Sequence, residues 1–242
     1  MMSTDPSRPR RKAAHWGKLA LAVLAIYLIV VYLVMPQFDR VKVHRHPDLV
    51  AGEHLTRTGT GLPGDPLDIA MVGSEADLIR ALLACGWRPA DPLSFKSSVR
   101  IAVDTVFDKP DPNAPVSSLY LFGRKEDLAF EKPVGHSPKE RHHVRFWKSA
   151  EMKDGRPMWL GSATHDIGVD LSRTTGQVTH HIAADVDAER DMLLAELTAA
   201  KHVMETTWID GYQTVLQGKN GGGDPWHTDG RLPVVTLTKT SP

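Results

Sequence analysis

Histidine is the residue type in this sequence with the most chemistry to offer. The 242-residue chain carries twelve, and four fall in two adjacent pairs, His142-His143 and His180-His181. Both pairs lie in stretches where apolar and polar residues alternate, the pattern of a β-strand. Successive strand residues point to opposite faces, so a regular strand cannot offer both members of a pair to one ligand. Around the first pair, His142, Val144 and Phe146 share one face, and His143, Arg145 and Trp147 share the other. Around the second, His180 goes with Val178 and Ile182, leaving His181 with Thr179. If the aliphatic faces pack on helices, His143, Arg145 and His181 are left on the opposite side, where His165 and Asp166 would join them. Such a set would bind a phosphate or, through His143, His165 and His181, a metal ion. The plain alternative is solvated strand positions or core histidines with satisfied bonds. No HExxH or CxxC spacing marks a zinc site.

A second candidate is the glycine-rich stretch 218–230. Its GKNGGGD run lacks the GK[ST] ending of a phosphate loop and opens no helix, so a long hairpin loop is the simpler reading. Asp224, His227 and Asp229 nonetheless follow closely, and loops of this kind often carry function. Glu189 and Asp191 open a helix and complement its dipole. No GxSxG elbow supports a serine hydrolase. The single Cys85 cannot form an internal disulfide, and its LLAC setting suits a buried small hydrophobe. Nothing in the sequence names a cofactor.

Two kinds of element must position these residues. Strands are expected over 67–72, 118–122, 128–132, 142–148, 157–167, 178–182, 203–209 and 234–237. Helices are expected after Ser74, which offers an N-cap with Asp77 three residues on, then over 94–107, and over 187–200. Strands mixed with a few helices, not strictly alternating with them, point to an α+β domain: a mixed, mostly antiparallel sheet with three helices. The Gly-, Pro- and Thr-rich run 56–66 reads as part of a spacer, which divides the chain into a basic tail (1–18), an anchor (19–36), a linker (37–63) and a globular domain (64–240).

The anchor reading rests on the seventeen residues between Leu19 and Met35 (LALAVLAIYLIVVYLVM), which hold no charge and include eleven Leu, Ile or Val. As a helix they span about 25 Å, and Trp16 and Pro36 extend them toward the ~30 Å apolar slab of a bilayer. The aliphatic residues together favour insertion by about 4 kcal/mol, so membrane lipid is the expected partner of this N-terminal transmembrane helix. Arg8, Arg10, Arg11, Lys12 and Lys18 precede it, against Arg40, Lys42 and Arg45 just after. That bias places the N-terminus in the cytoplasm and the C-terminal domain in the periplasm or another extracytoplasmic space, with one pass through the inner (cytoplasmic) membrane. A cleaved signal would end in a small-x-small site, whereas this run ends Leu33-Val34-Met35-Pro36. Lys+Arg and Asp+Glu both number 29, and this balance does not suggest nucleic acid as a partner.

Several stretches in combination resemble the LssY C-terminal domain family. They are GDPLDIAMVGS (64–74), the segment 82–92, SLYLFGR (118–124), HHVRFW (142–147), 159–168, and TTGQVTHHI (174–182) running into DAERD (187–191). The resemblance covers about 64–240 and implies a bacterial envelope role. The family is named for a Legionella secretion-related membrane protein, and some members join this domain to DedA-like or phosphatidic-acid-phosphatase-type membrane modules. Its activity is unassigned, so no catalytic residues transfer, and this chain has one span and no phosphatase motif. Two readings follow. One is a membrane-anchored accessory protein in secretion or envelope-lipid handling, with other envelope or secretion proteins as candidate partners. The other is a metal-assisted hydrolase of phosphorylated envelope lipids, which needs His143, His165 or Asp166, His181 and the Asp224–Asp229 loop to converge.

Overall fold

Alternation becomes extended structure wherever one face finds a core to cover it. The computed structural model describes residues 8–35, 37, 54–90, 118–135, 140–174, 176 and 178–239. Helix α1 (Arg8–Ile29) continues as a π-helical turn over Val30–Val34. Its segment His15–Val34, with a mean hydropathy of 2.4, is long and apolar enough to cross a membrane. Leu19, Leu21, Val23, Leu24, Ile26 and Leu33 are all exposed along it, with no protein core to cover them. On another side, Tyr27 donates a hydrogen bond to the Gly176 carbonyl (2.6 Å) and Val31 is buried.

The domain is α+β and mostly antiparallel. Strands β1 (Leu55–Thr58), β2 (Pro63–Pro66), β5 (Leu119–Leu121) and β6 (Arg124–Lys125) form a small sheet in the order β2-β1-β5-β6. The main sheet has eight strands. Its order is β11 (Val203–Ile209), β14 (Leu232–Leu237), β3 (Ile69–Val72), β9 (Arg156–Leu171), β8 (Arg141–Lys153), β7 (Leu128–Pro133) and β4 (Arg88–Pro89), with β10 (Val178–Ile182) also paired to β9. Only β14 and β3 run parallel. Strands β12 (Gln217–Lys219) and β13 (Pro225–His227) form a separate hairpin.

Helices α2 (Glu75–Ala84) and α3 (Val186–Ala199) cover one face of the main sheet. Leu78 and Leu82 from α2 and Leu193 and Leu197 from α3 pack there on Ile69, Met71, Phe130, Val144, Phe146, Trp159 and Val235. The other face meets the small sheet, with Trp147 against Leu67 and Leu119. The capping box at Ser74 forms as expected: its hydroxyl accepts from the Asp77 N–H, and the Asp77 carboxylate accepts from the Ser74 N–H. Gly161 permits the closest approach across the sheet, since a Cβ there would sit 2.7 Å from both Ile69 and Phe146.

Two expectations change. The stretch read as linker contains β1 and the start of β2, and Thr56 within it is fully buried, its hydroxyl donating to the Asp65 carbonyl at 2.8 Å. Glycine and threonine there make a tight β1–β2 turn instead of a tether. The stretch 218–230, read as a loop, carries the β12–β13 hairpin, with Trp226 buried against Ile182 and Val186. The helix expected over 94–107 lies outside the described residues.

Candidate functional site

Between the two sheets lies a buried ionic cluster. Strand β8 supplies Arg141, His143 and Arg145 at alternate positions, on the face away from the helices. Glu131 from β7, Asp166 from β9, His180 from β10 and Asp65 from β2 close around them. Arg141, His143, Arg145, Asp166, Glu131 and Asp65 are all buried. Charges survive such burial only when paired. Arg141 donates to Glu131 (Nη1 to Oε2, 2.9 Å) and lies 2.6 Å from Nε2 of His180. Nδ1 of His180 is 3.2 Å from Asp166 Oδ2. Arg141 Nη2 also lies 2.9 Å from Nδ1, and the neutral tautomer that satisfies both partners has Nδ1–H donating to Asp166 and Nε2 accepting from Arg141.

Nδ1 of His143 is also close to Asp166 Oδ2, at 2.9 Å, yet neither ring nitrogen of His143 makes a well-aligned hydrogen bond. The pair is thus an electrostatic contact. The electrostatics are self-consistent. Burial alone would raise Asp166, but His143, His180 and Arg141 outweigh it and hold the carboxyl far below the usual range. Burial, aided by Arg141, His143 and Arg145, pushes His180 down to about 4 against the pull of Asp166. Burial also pushes up Asp65, with Arg145 at 3.8 Å pulling the other way.

The expected site residues do not all meet. His143, Arg145 and Asp166 share the inter-sheet face. His165 lies opposite His142 in the β8–β9 ladder and so faces the helices, its ring stacked on His142 at 4.9 Å. His142 in turn contacts the buried Glu189 of α3 (2.8 Å). His181 is the wrong member of its pair. The β9–β10 register slips by one residue between His181, opposite Gly168, and Ile182, opposite Asp166. This β-bulge at Ile167 turns His180, not His181, toward Asp166. His181 instead binds Asp224 Oδ1 (2.6 Å).

From the hairpin, Asp224 is buried, and Asn220 ties its turn to Asp65 (3.1 Å), so this part of the candidate set does border the cluster. His227 is exposed and its N–H donates to the Ala184 carbonyl. Asp229 sits elsewhere, clamping the fully buried Arg190 together with Asp187 and Asp191. Among the described residues, no group of three or more His, Cys, Asp or Glu side chains is arranged to hold a metal ion.

Four cluster members were missed from sequence. Arg141 and Glu131 were legible, since each shares a face by simple alternation with residues already singled out or paired to them. Asp65 lay in the supposed spacer, and His180 was hidden by the bulge.

The model of the LssY C-terminus matches residues 45–232. The chain belongs to the LssY C-terminus family. The match takes in the whole ionic cluster and begins ahead of β1, in keeping with a fold that starts before residue 64. Comparison with curated proteins and with solved structures returns no match.

Proposed function

We propose that this LssY C-terminus protein is a single-pass protein of the inner membrane, with a cytoplasmic N-terminus and an extracytoplasmic domain. That domain serves as a binding accessory in secretion or envelope-lipid handling. The observation that carries the accessory reading is the state of the inter-sheet cluster. Its charged groups are buried and held by one another, and neither nucleophile nor titrating acid is presented to solvent. The hydrolase reading asks His143, His165 or Asp166, and His181 to converge; Asp166 does reach His143, at 2.9 Å, but His165 stacks on His142 and His181 turns to Asp224.

The anchor is supported by the exposed apolar residues of α1. In a bilayer the Tyr27–Gly176 contact either opens or draws the β9–β10 turn, with Arg173 on it, into the outer leaflet. One hydrogen bond is worth about 1 kcal/mol, less than the roughly 2.5–3.5 kcal/mol of placing an arginine deep in lipid, so the contact opens.

Fusions of alkaline phosphatase and of green fluorescent protein to the C-terminus test the topology. Active phosphatase and dark fluorescent protein are expected; the reverse overturns it. For the accessory role, His143→Ala should lower cellular function only in proportion to protein abundance. Full abundance with lost function would favour catalysis.

A further inference from the structure

The two-residue turn between β5 and β6 carries a side chain that its backbone disfavours. Phe122 and Gly123 form it, with Leu121 paired to Arg124, and both have positive φ, 54° and 73°. Hairpin turns of this kind favour Asn-Gly or Asp-Gly, because the left-handed conformation is costly for a bulky residue. Glycine meets the demand at the second position. At the first stands a phenylalanine to which the fold gives little packing: it is 57% exposed. The turn stands clear, since a Cβ added at Gly123 would meet no atom within 4 Å. A strained aromatic held in the open is not explained by folding alone.

Its place in the fold indicates what covers it. Strand β1 runs antiparallel to β5, with Arg57 opposite Tyr120 and Thr58 opposite Leu119. The chain coming from α1 therefore enters β1 at the end of the small sheet where the Phe122 turn lies. On the hairpin's flank Arg124 pairs with Asp127 and Lys125 with Glu126, so its charges are balanced and the apolar ring is what it presents. We propose that Phe122 inserts into the interfacial region of the bilayer that α1 spans, a second contact that orients the domain on the membrane. This rests on the anchor reading and adds a direction to it. Arg124 bonds the Lys148 carbonyl, toward one end of β8, whereas the β9–β10 turn lies beyond the Arg141 end. A small sheet turned to the lipid thus keeps Arg173 away from it. One aromatic ring binds lipid weakly, but a tethered domain meets the surface at high effective concentration, so a weak contact suffices.

The test uses the full chain in nanodiscs of zwitterionic lipid. The photocrosslinking aromatic p-benzoylphenylalanine replaces Phe122 or, in a second protein, Leu171, which is 48% exposed near the β9–β10 turn. Illumination should attach lipid at position 122 about tenfold more than at position 171. Phe122→Asn supplies a residue that the turn favours and should raise the thermal midpoint by about 2–4 °C. Lipid adducts at 171 equal to those at 122, no lipid adduct at 122, or adducts there to a protein in place of lipid overturn the proposal. So does a Phe122→Asn protein less stable than the native one, since the ring would then serve folding. Failure of the anchor reading looks different: alkaline carbonate would release the full chain from membranes, and this proposal would fall with it.

Discussion

At His180, burial and the neighbouring Arg141, His143 and Arg145 keep the imidazole neutral down to about pH 4. The unfolded chain takes up that proton near its ordinary pKa of about 6.5, so between those values it binds more protons than the native state. Stability should fall as the pH drops through this window, by up to about 1.4 kcal/mol per unit from this one group. Asp166, held low, adds its own loss below about pH 3.9. Urea titrations from pH 7 to 4 should show a shallower decline for His180→Gln; an unchanged slope would remove His180 as the source. Asp68 works in the opposite sense. Burial pushes its carboxyl well up, while Oδ1 accepts the Ala163 N–H at 3.0 Å. The native state therefore keeps a proton that the unfolded chain releases, and stability declines as the pH rises above about 3.9. Asp68→Asn keeps the acceptor without the titration. Its urea midpoint at pH 7 should equal or exceed that of the native protein.

Elements whose cause is local were legible in the sequence. The Ser74–Asp77 box, the apolar stripe of α2 and the acids opening α3 each declare a helix within a few residues. The alternation in β8 correctly assigned Val144 and Phe146 to the helices and His143, Arg145 and Trp147 to the other face. What alternation cannot show is a break in its own count. The extra residue at Ile167 is compatible with every local preference, and only the pairing of β9 with β10 reveals it. The same holds for the β1–β2 stretch, whose Gly59 and Gly64 look like tether until Tyr120 and Thr56 pack against them. Two substitutions probe this level. Ser74→Ala should destabilise by about 1 kcal/mol through the lost cap. Gly161→Ala forces a methyl against Ile69 and Phe146 in a filled core and should cost about 1–3 kcal/mol, read as a lowered thermal midpoint. A Gly161→Ala protein of native stability would mean that Ile69 and Phe146 are packed less tightly over Gly161 than their spacing indicates.

For the molecule as a whole, the functional question turns on which surfaces are left available once the interior is accounted for. Among the described residues, the charged cluster joins the two sheets, the helices close the opposite face, and the β11 edge and the apolar α1 are left open. If α1 is the anchor, membrane fractions should retain the full chain through alkaline carbonate washing, and truncation before residue 54 should release the domain; release of the intact chain would exclude a spanning helix. Nineteen residues separate Met35 from Leu55, where the first described strand begins. Even drawn out straight, nineteen residues reach no more than about 65 Å. If α1 spans the membrane as proposed, whatever the domain binds must come within a few nanometres of the lipid surface, which favours neighbours embedded in the same sheet of lipid.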